Sequence, residues 1–215
     1  MTDPTYTRPQ WQRSALIVVD VQNDFVADDG ALPVAGTREA LGAIAGVLDA
    51  FRAARRPIAH VVRLYIPGGT DTDLPRRAAI ESGTKVVAPG SAGSQIPTEL
   101  RPGNSVLDPD RLLAGEPQQL GPDEIALFKP RWSAFHRTVL HEWLHARDVT
   151  TVVVLGCNLP NCPRATLFDA SNHDYRTVLV TDATSQVTED RLADLELIGV
   201  NLATARETIE QLAAG

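Results

Sequence analysis

Residues 150–173 read TTVVVLGCNLPNCPRATLFDASNH. The first seven are β-branched and aliphatic up to Gly156, as in a strand covered on both faces. Cys162 then stands at the head of a stretch with helical character. A strand that runs through a short loop into a helix is the unit of a parallel α/β sheet. The same stretch places a thiol at a helix N-terminus, where unpaired N–H groups and the helix dipole favour negative charge. From that position alone Cys162 is expected to have a lowered pKa and to act as a nucleophile.

Outward from this unit the pattern repeats. ALIVVDVQ (15–22), IAHVVRLY (58–65), EIALFK (124–129) and RTVLVTDA (176–183) read as further strands, with a short one near 199–203. Between them, 37–54 places Leu41, Ile44, Leu48 and Phe51 at helical spacing, and 136–147 does the same with Val139, Leu140, Trp143 and Leu144. Further helices are expected at 162–173, at 188–198 and at the C-terminus, where Thr204 and Glu207 have capping-box spacing. The fold class predicted is α/β, a three-layer α/β/α arrangement on a mostly parallel, six-stranded, Rossmann-like sheet. One domain is expected over 1–215. The segment 66–123 is rich in Gly and Pro and reads as an irregular excursion, a lid or subunit contact, with short helices near 74–82 and 109–114.

Composition narrows the function classes. A net charge of -7 argues against a nucleic-acid or acidic-membrane partner. Residues 1–14 do not resemble a signal peptide, and no apolar run approaches the ~20 residues of a membrane span. Two cysteines do not make a disulfide framework, so reduced thiols and a cytoplasmic location are expected.

In sheets of this kind ligands bind beyond the carboxyl ends of the strands. Asp20, Lys129 and Cys162 all fall at such ends. Each alone has an ordinary explanation as a turn residue, a solvated lysine or a small hydrophobe. Together they supply a base, a cation and a nucleophile. Phe25, Trp132 and Phe135 lie beside them in sequence and are candidate walls of a substrate pocket. Arg164 is a candidate for a substrate carboxylate, with a surface ion pair as the competing role.

The segments VVDVQNDF (18–25), FKPRWSAF (128–135) and GCNLPNCPRATLFDA (156–170), in that order, resemble the signatures of the isochorismatase-like cysteine hydrolases. The resemblance implies a catalytic Asp20, Lys129 and Cys162. It maps a non-proline cis peptide onto Cys157–Asn158 and an oxyanion hole onto the N–H groups of Asn158 and Cys162. It implies a cysteine hydrolase that cleaves a non-peptide C–N bond of a small amide, lactam or ureide through a thioester, without a metal or other cofactor. CNLPNCPR is most similar to the streptothricin hydrolase-like branch, which opens a lactam amide. Isochorismatases proper lack the cysteine and cleave a vinyl ether, and the metal-assisted nicotinamidases carry a histidine cluster where this chain reads RLYIPGGTDTD (63–73). The resemblance also implies a homodimer or homotetramer.

Two other function classes stand against this. One is a non-catalytic binding protein on the same fold. The other is a zinc hydrolase, from His141-Glu142-Trp143-Leu144-His145, which matches HExxH. That helix has to bury Trp143 and Leu144, and His173 as a third ligand lies beyond a complete strand.

Overall fold

The computed structural model describes residues 4–69 and 71–214. Seven strands form one sheet: β1 (Ser14–Val19), β2 (Ile58–Val62), β3 (Gln118–Gly121), β4 (Glu124–Phe128), β5 (Thr151–Gly156), β6 (Arg176–Thr184) and β7 (Asn201–Ala203). Their order is β3-β4-β2-β1-β5-β6-β7. Every pairing is parallel except β3 with β4. The sheet therefore has one strand more than the six expected. The additional strand is the polar edge segment QQLG, which joins β4 through a tight hairpin and carries no apolar run to announce it.

The helices are α1 (Pro4–Thr7), α2 (Asn23–Val26), α3 (Leu41–Ala53), α4 (Leu74–Glu81), α5 (Pro109–Leu113), α6 (Leu140–His145), α7 (Cys162–Asn172), α8 (Glu189–Leu197) and α9 (Ala205–Ala213). Alternation along each central strand divides the core in two. Leu16 and Val18 of β1 face α3 and α9, packing with Ile44, Phe51 and Leu212. Ala15, Ile17 and Val19 face the other way, onto Leu144 of α6, Leu167 of α7 and Leu195 of α8. Both faces of β1 are thus buried, which is why its sequence is a continuous apolar run. The C-terminal helix starts with the capping box: Thr204 accepts from the Glu207 N–H, and Glu207 accepts from the Thr204 N–H.

The segment 66–123 holds α4, α5, two short 3-10 turns and β3. It is anchored by buried Ile80, Ile96, Leu100 and Leu112.

At the amino-terminal edge of the sheet, Glu124 is buried and accepts from Arg52 through both carboxylate oxygens, at 2.8 and 2.9 Å. His60 Nε2 lies 2.7 Å from the same carboxylate. Burial works against the Glu124 charge, but the Arg52 and His60 hydrogen bonds outweigh it and hold the carboxyl at about 2. A carboxylate whose pKa is depressed on folding stabilises the fold above its unfolded pKa, ~4.3. That contribution is lost as pH falls through about 2. Glu124→Gln is expected to cost ~1–3 kcal/mol at neutral pH by removing the charged acceptor of the half-buried Arg52 and the buried His60. Denaturant midpoints of both proteins measured from pH 6 to about pH 2 are expected to converge at the acid end.

Candidate active site

The strand order reverses between β1 and β5, so β2 and β4 lie on one side of β1 and β6 and β7 on the other. This switch point opens a crevice at the carboxyl edge. The register there is tight. Val19 pairs with Gly156, and the Cys157 N–H donates to the Val19 carbonyl at 2.8 Å. Gly156 has φ +116°, and a Cβ on it would sit 2.3 Å from the Val19 oxygen. Only glycine lets the end of β5 come this close to β1.

Asp20 follows β1 with φ 50°, a left-handed conformation that few non-glycine residues adopt. Its N–H donates to Val61 at 2.9 Å, while the Lys129 N–H, just past β4, donates to Val62 at 3.0 Å. The end of β2 thus aligns both residues. Lys129 is fully buried, and its Nζ lies 2.7 Å from Asp20 Oδ2. Asp20 Oδ1 has no hydrogen-bond partner among the described residues.

Cys162 is the first residue of α7, and Pro163 follows in the first turn, where a missing N–H leaves nothing unpaired. Thr166, one turn on, donates to the Cys162 carbonyl at 2.8 Å and accepts from the Ala134 N–H at 3.0 Å. This hydroxyl ties α7 to the segment that carries Lys129. The Cys157–Asn158 peptide is cis. The loop is held by Leu159 N–H to the Ser185 carbonyl at 2.9 Å and by Asn161 to the Asn158 side chain at 3.1 Å. The N–H groups of Asn158 and Cys162 donate to no described residue.

Asp20 and Cys162 line one cavity of about 40 Å³, which Phe25 and Trp132 also border. That volume is a few water molecules' worth. Arg63, Tyr65, Arg76, Asn158 and Asn161 form its polar wall, and Cys157 and Val34 complete the lining. Trp132 is shared with an outer groove of about 430 Å³, where Leu74 is 77% exposed.

Several expectations need correction. Burial pushes the Cys162 thiol up, the Asp20 charge adds to it, and Lys129 and Arg63 offset only part, leaving it at about 11. A resting thiolate, expected from the helix terminus, is therefore replaced by a thiol beside a carboxylate. Phe135 does not border the cavity; it packs in the core against His173 and Tyr175, with ring centroids 5.2 and 5.9 Å apart. Arg164 also points elsewhere, pairing with Asp194 at 3.1 Å on the surface. The HExxH helix is six residues long, and His141 Nδ1 lies 3.0 Å from the Tyr175 hydroxyl. Its ring stacks on His173 at 4.3 Å. No group of three or more His, Cys, Asp or Glu placed to hold a metal ion occurs among the described residues.

The cavity residues that sequence reasoning missed are Val34, Arg63, Tyr65, Arg76 and Asn161. Arg63 did leave a signal, as a cation interrupting the apolar run IAHVVRLY (58–65).

The fold and the cavity define a doubly wound α/β domain with a buried thiol at its switch point. Residues 14–208 match the isochorismatase domain, and the chain belongs to that family. It is 33% identical over 211 residues, 95% of this chain and 98% of the relative, to an Arabidopsis thaliana protein described as a probable inactive nicotinamidase. It is 29% identical over 195 residues to the ureidoacrylate amidohydrolase RutB of Methylobacterium radiotolerans, covering 82% of this chain and 69% of that protein. A solved isochorismatase family protein from Desulfovibrio vulgaris superposes with a TM-score of 0.80 at 31% identity, over 94% of this chain and 98% of that one. No helix among the described residues is long and apolar enough to cross a membrane.

Proposed function

We propose that this protein is a cysteine hydrolase of a non-peptide C–N bond in a small amide or ureide, with Asp20, Lys129 and Cys162 as the catalytic residues. The observation that carries the reading is a buried carboxylate with one oxygen 2.7 Å from an ammonium and the other unpartnered, in the wall of the cavity that holds the thiol. Kinship with ureidoacrylate amidohydrolases supports the bond type.

The chemistry follows from the geometry. Cys162 enters with its thiol pushed up by burial, and Asp20 Oδ2 lies 2.7 Å from the Lys129 Nζ, leaving Oδ1 to take a proton. As Sγ bonds to the substrate carbonyl carbon, its proton passes to Asp20 Oδ1. The carbonyl oxygen gains the negative charge and receives the free N–H groups of Asn158 and Cys162. The C–N bond then breaks, and Asp20 returns the proton to the departing amine. Water adds to the thioester, giving one proton to Asp20; the acid leaves, and the proton goes back to Sγ. A lactam would react in the same way, its amine staying attached to the acid, as the streptothricin hydrolase-like resemblance implies.

A non-catalytic binding role has one point in its favour, the description of the Arabidopsis relative as inactive. That description belongs to that protein, whereas all three proposed catalytic groups are present here. A panel of primary amides, lactams and carbamoyl compounds separates the readings. Ammonia or amine release from at least one member is expected. Saturable binding of panel members with no release from any would favour the binding protein. The proposed assembly is a homodimer or homotetramer, which light scattering would measure.

A further inference from the structure

Trp132 borders two spaces of very different size. On one side is the cavity of about 40 Å³ that holds Asp20 and Cys162. On the other is the outer groove of about 430 Å³, walled by Leu74, Pro75, Ser133 and Asp169. The first admits only a few atoms beyond a reacting carbonyl. The second has the size of a small-molecule pocket. Two large apolar side chains stand open to water on it, Leu74 at 77% exposure and Trp132 at 41%.

The charges that line the groove do not cancel. Arg131 pairs with Asp71 at 2.7 Å. Asp73 pairs with Arg63 at 3.2 Å and also accepts from the Tyr65 hydroxyl at 2.8 Å. Asp169, half-buried on α7, forms no ion pair with a described residue. Arg76 faces the inner cavity instead. With His136 counted as neutral, the groove lining holds one uncompensated negative charge beside an aromatic and an aliphatic side chain. Such a surface favours a guest with an apolar body and a positive charge.

The proton path gives the direction in which a substrate lies. The departing nitrogen takes its proton from Asp20, so it lies on the side of Asp20 and Lys129. Lys129 Nζ also donates to the Arg131 carbonyl at 3.3 Å, which ties the residue before Trp132 to the same ammonium. The nitrogen thus faces Trp132 and the groove, and the acyl group stays in the inner cavity as the thioester. Resting on the C–N hydrolase reading, we infer that the substrate is an N-substituted amide with a small acyl group, formyl or acetyl in size, and a large amine. The amine carries an apolar ring seated on Trp132 and Leu74 and a cationic group paired with Asp169. Water adds across the C–N bond, so that the acid is released from the inner cavity and the amine from the groove.

The test uses a pair of isomers. N-benzylacetamide places the ring on the amine, and N-methyl phenylacetamide places it on the acyl group. The para-aminomethyl derivative of N-benzylacetamide adds the cation. Amine release gives kcat/KM for each. N-benzylacetamide is expected to be preferred over its isomer at least tenfold, and its cationic derivative by a further few-fold. Leu74→Ser, a change at a solvent-open position, should reduce the preference for the ring, and Asp169→Asn should remove the gain from the cation, both through KM rather than kcat. A second readout needs no turnover. Calorimetric binding of the product amine, para-xylylenediamine, should weaken several-fold in either variant. Equal turnover of the two isomers, a preference for N-methyl phenylacetamide, or preferences unchanged in both variants would overturn the inference. Turnover of unsubstituted amides alone would overturn it too, with the hydrolase reading intact. Absence of turnover with every compound, but with diamine binding that depends on Leu74 and Asp169, would retain the groove as an amine site and reject the hydrolase reading. Absence of both turnover and binding would reject the groove.

Discussion

Cys162→Ala is expected to lower turnover of the best panel amide by roughly 10³-fold or more, and Cys162→Ser to do nearly as much. Cys157→Ser is expected to keep a substantial part of the activity. The contrast is demanding because both thiols border the same cavity. They differ in what surrounds them. Cys162 begins α7, so a tetrahedral oxyanion formed at its sulfur would meet free N–H groups. Cys157 lies at the end of β5, its N–H spent on the Val19 carbonyl at 2.8 Å. Burial pushes its thiol to about 12, higher than that of Cys162, with hydrogen bonding to Thr37 only partly offsetting the shift. Steady-state kinetics of the variants, with circular dichroism to confirm folding, makes the comparison. Equal losses at both positions would contradict the assignment.

The second large effect is on Asp20 and Lys129 together. Asp20→Asn removes the proton acceptor and leaves Lys129 as a buried cation without its counter-charge. Activity is expected to fall ~10²–10⁴-fold. Stability is expected to fall by ~3–5 kcal/mol, the cost of breaking a buried ion pair from one side. The double variant Asp20→Asn with Lys129→Met removes the orphaned charge as well. It should regain most of the lost stability while remaining inactive, because the two effects have different causes. Urea denaturation and the amide assay on the single and double variants separate them. Recovery of activity along with stability would mean that Asp20 serves only the fold.

The parts of this account that were legible in the sequence share a physical reason. β1, β2, β4, β5 and β6 are covered on both faces, so each left an apolar run. The placement of Asp20, Lys129 and Cys162 followed from counting to the ends of those runs. β3 escaped notice because an exposed edge strand needs no apolar face. The thiol reads as acidified from sequence because helix position is local and visible, whereas burial and the Asp20 charge, which push it up, depend on the assembled fold. Arg164 is two residues from Cys162 in sequence, yet its surface ion pair, the competing role, is the one it takes. A residue two positions along a helix is turned away from the first, and here that turn carries Arg164 to Asp194. Arg76 reaches the cavity from α4, a helix in the segment with the weakest periodicity, and nothing local linked it to Cys162.

The central claim is that the sulfur of residue 162 becomes covalently acylated during turnover. Rapid acid quenching of the enzyme at work on its best panel amide, with hydroxylamine added in parallel samples to capture the acyl group, tests it directly by peptide mass and product analysis. The account predicts an acyl adduct on the Cys162 peptide, or a hydroxamate product that grows with hydroxylamine concentration and disappears in Cys162→Ala. An acyl group found on another residue, or amide hydrolysis that continues at the wild-type rate in Cys162→Ala, would contradict it.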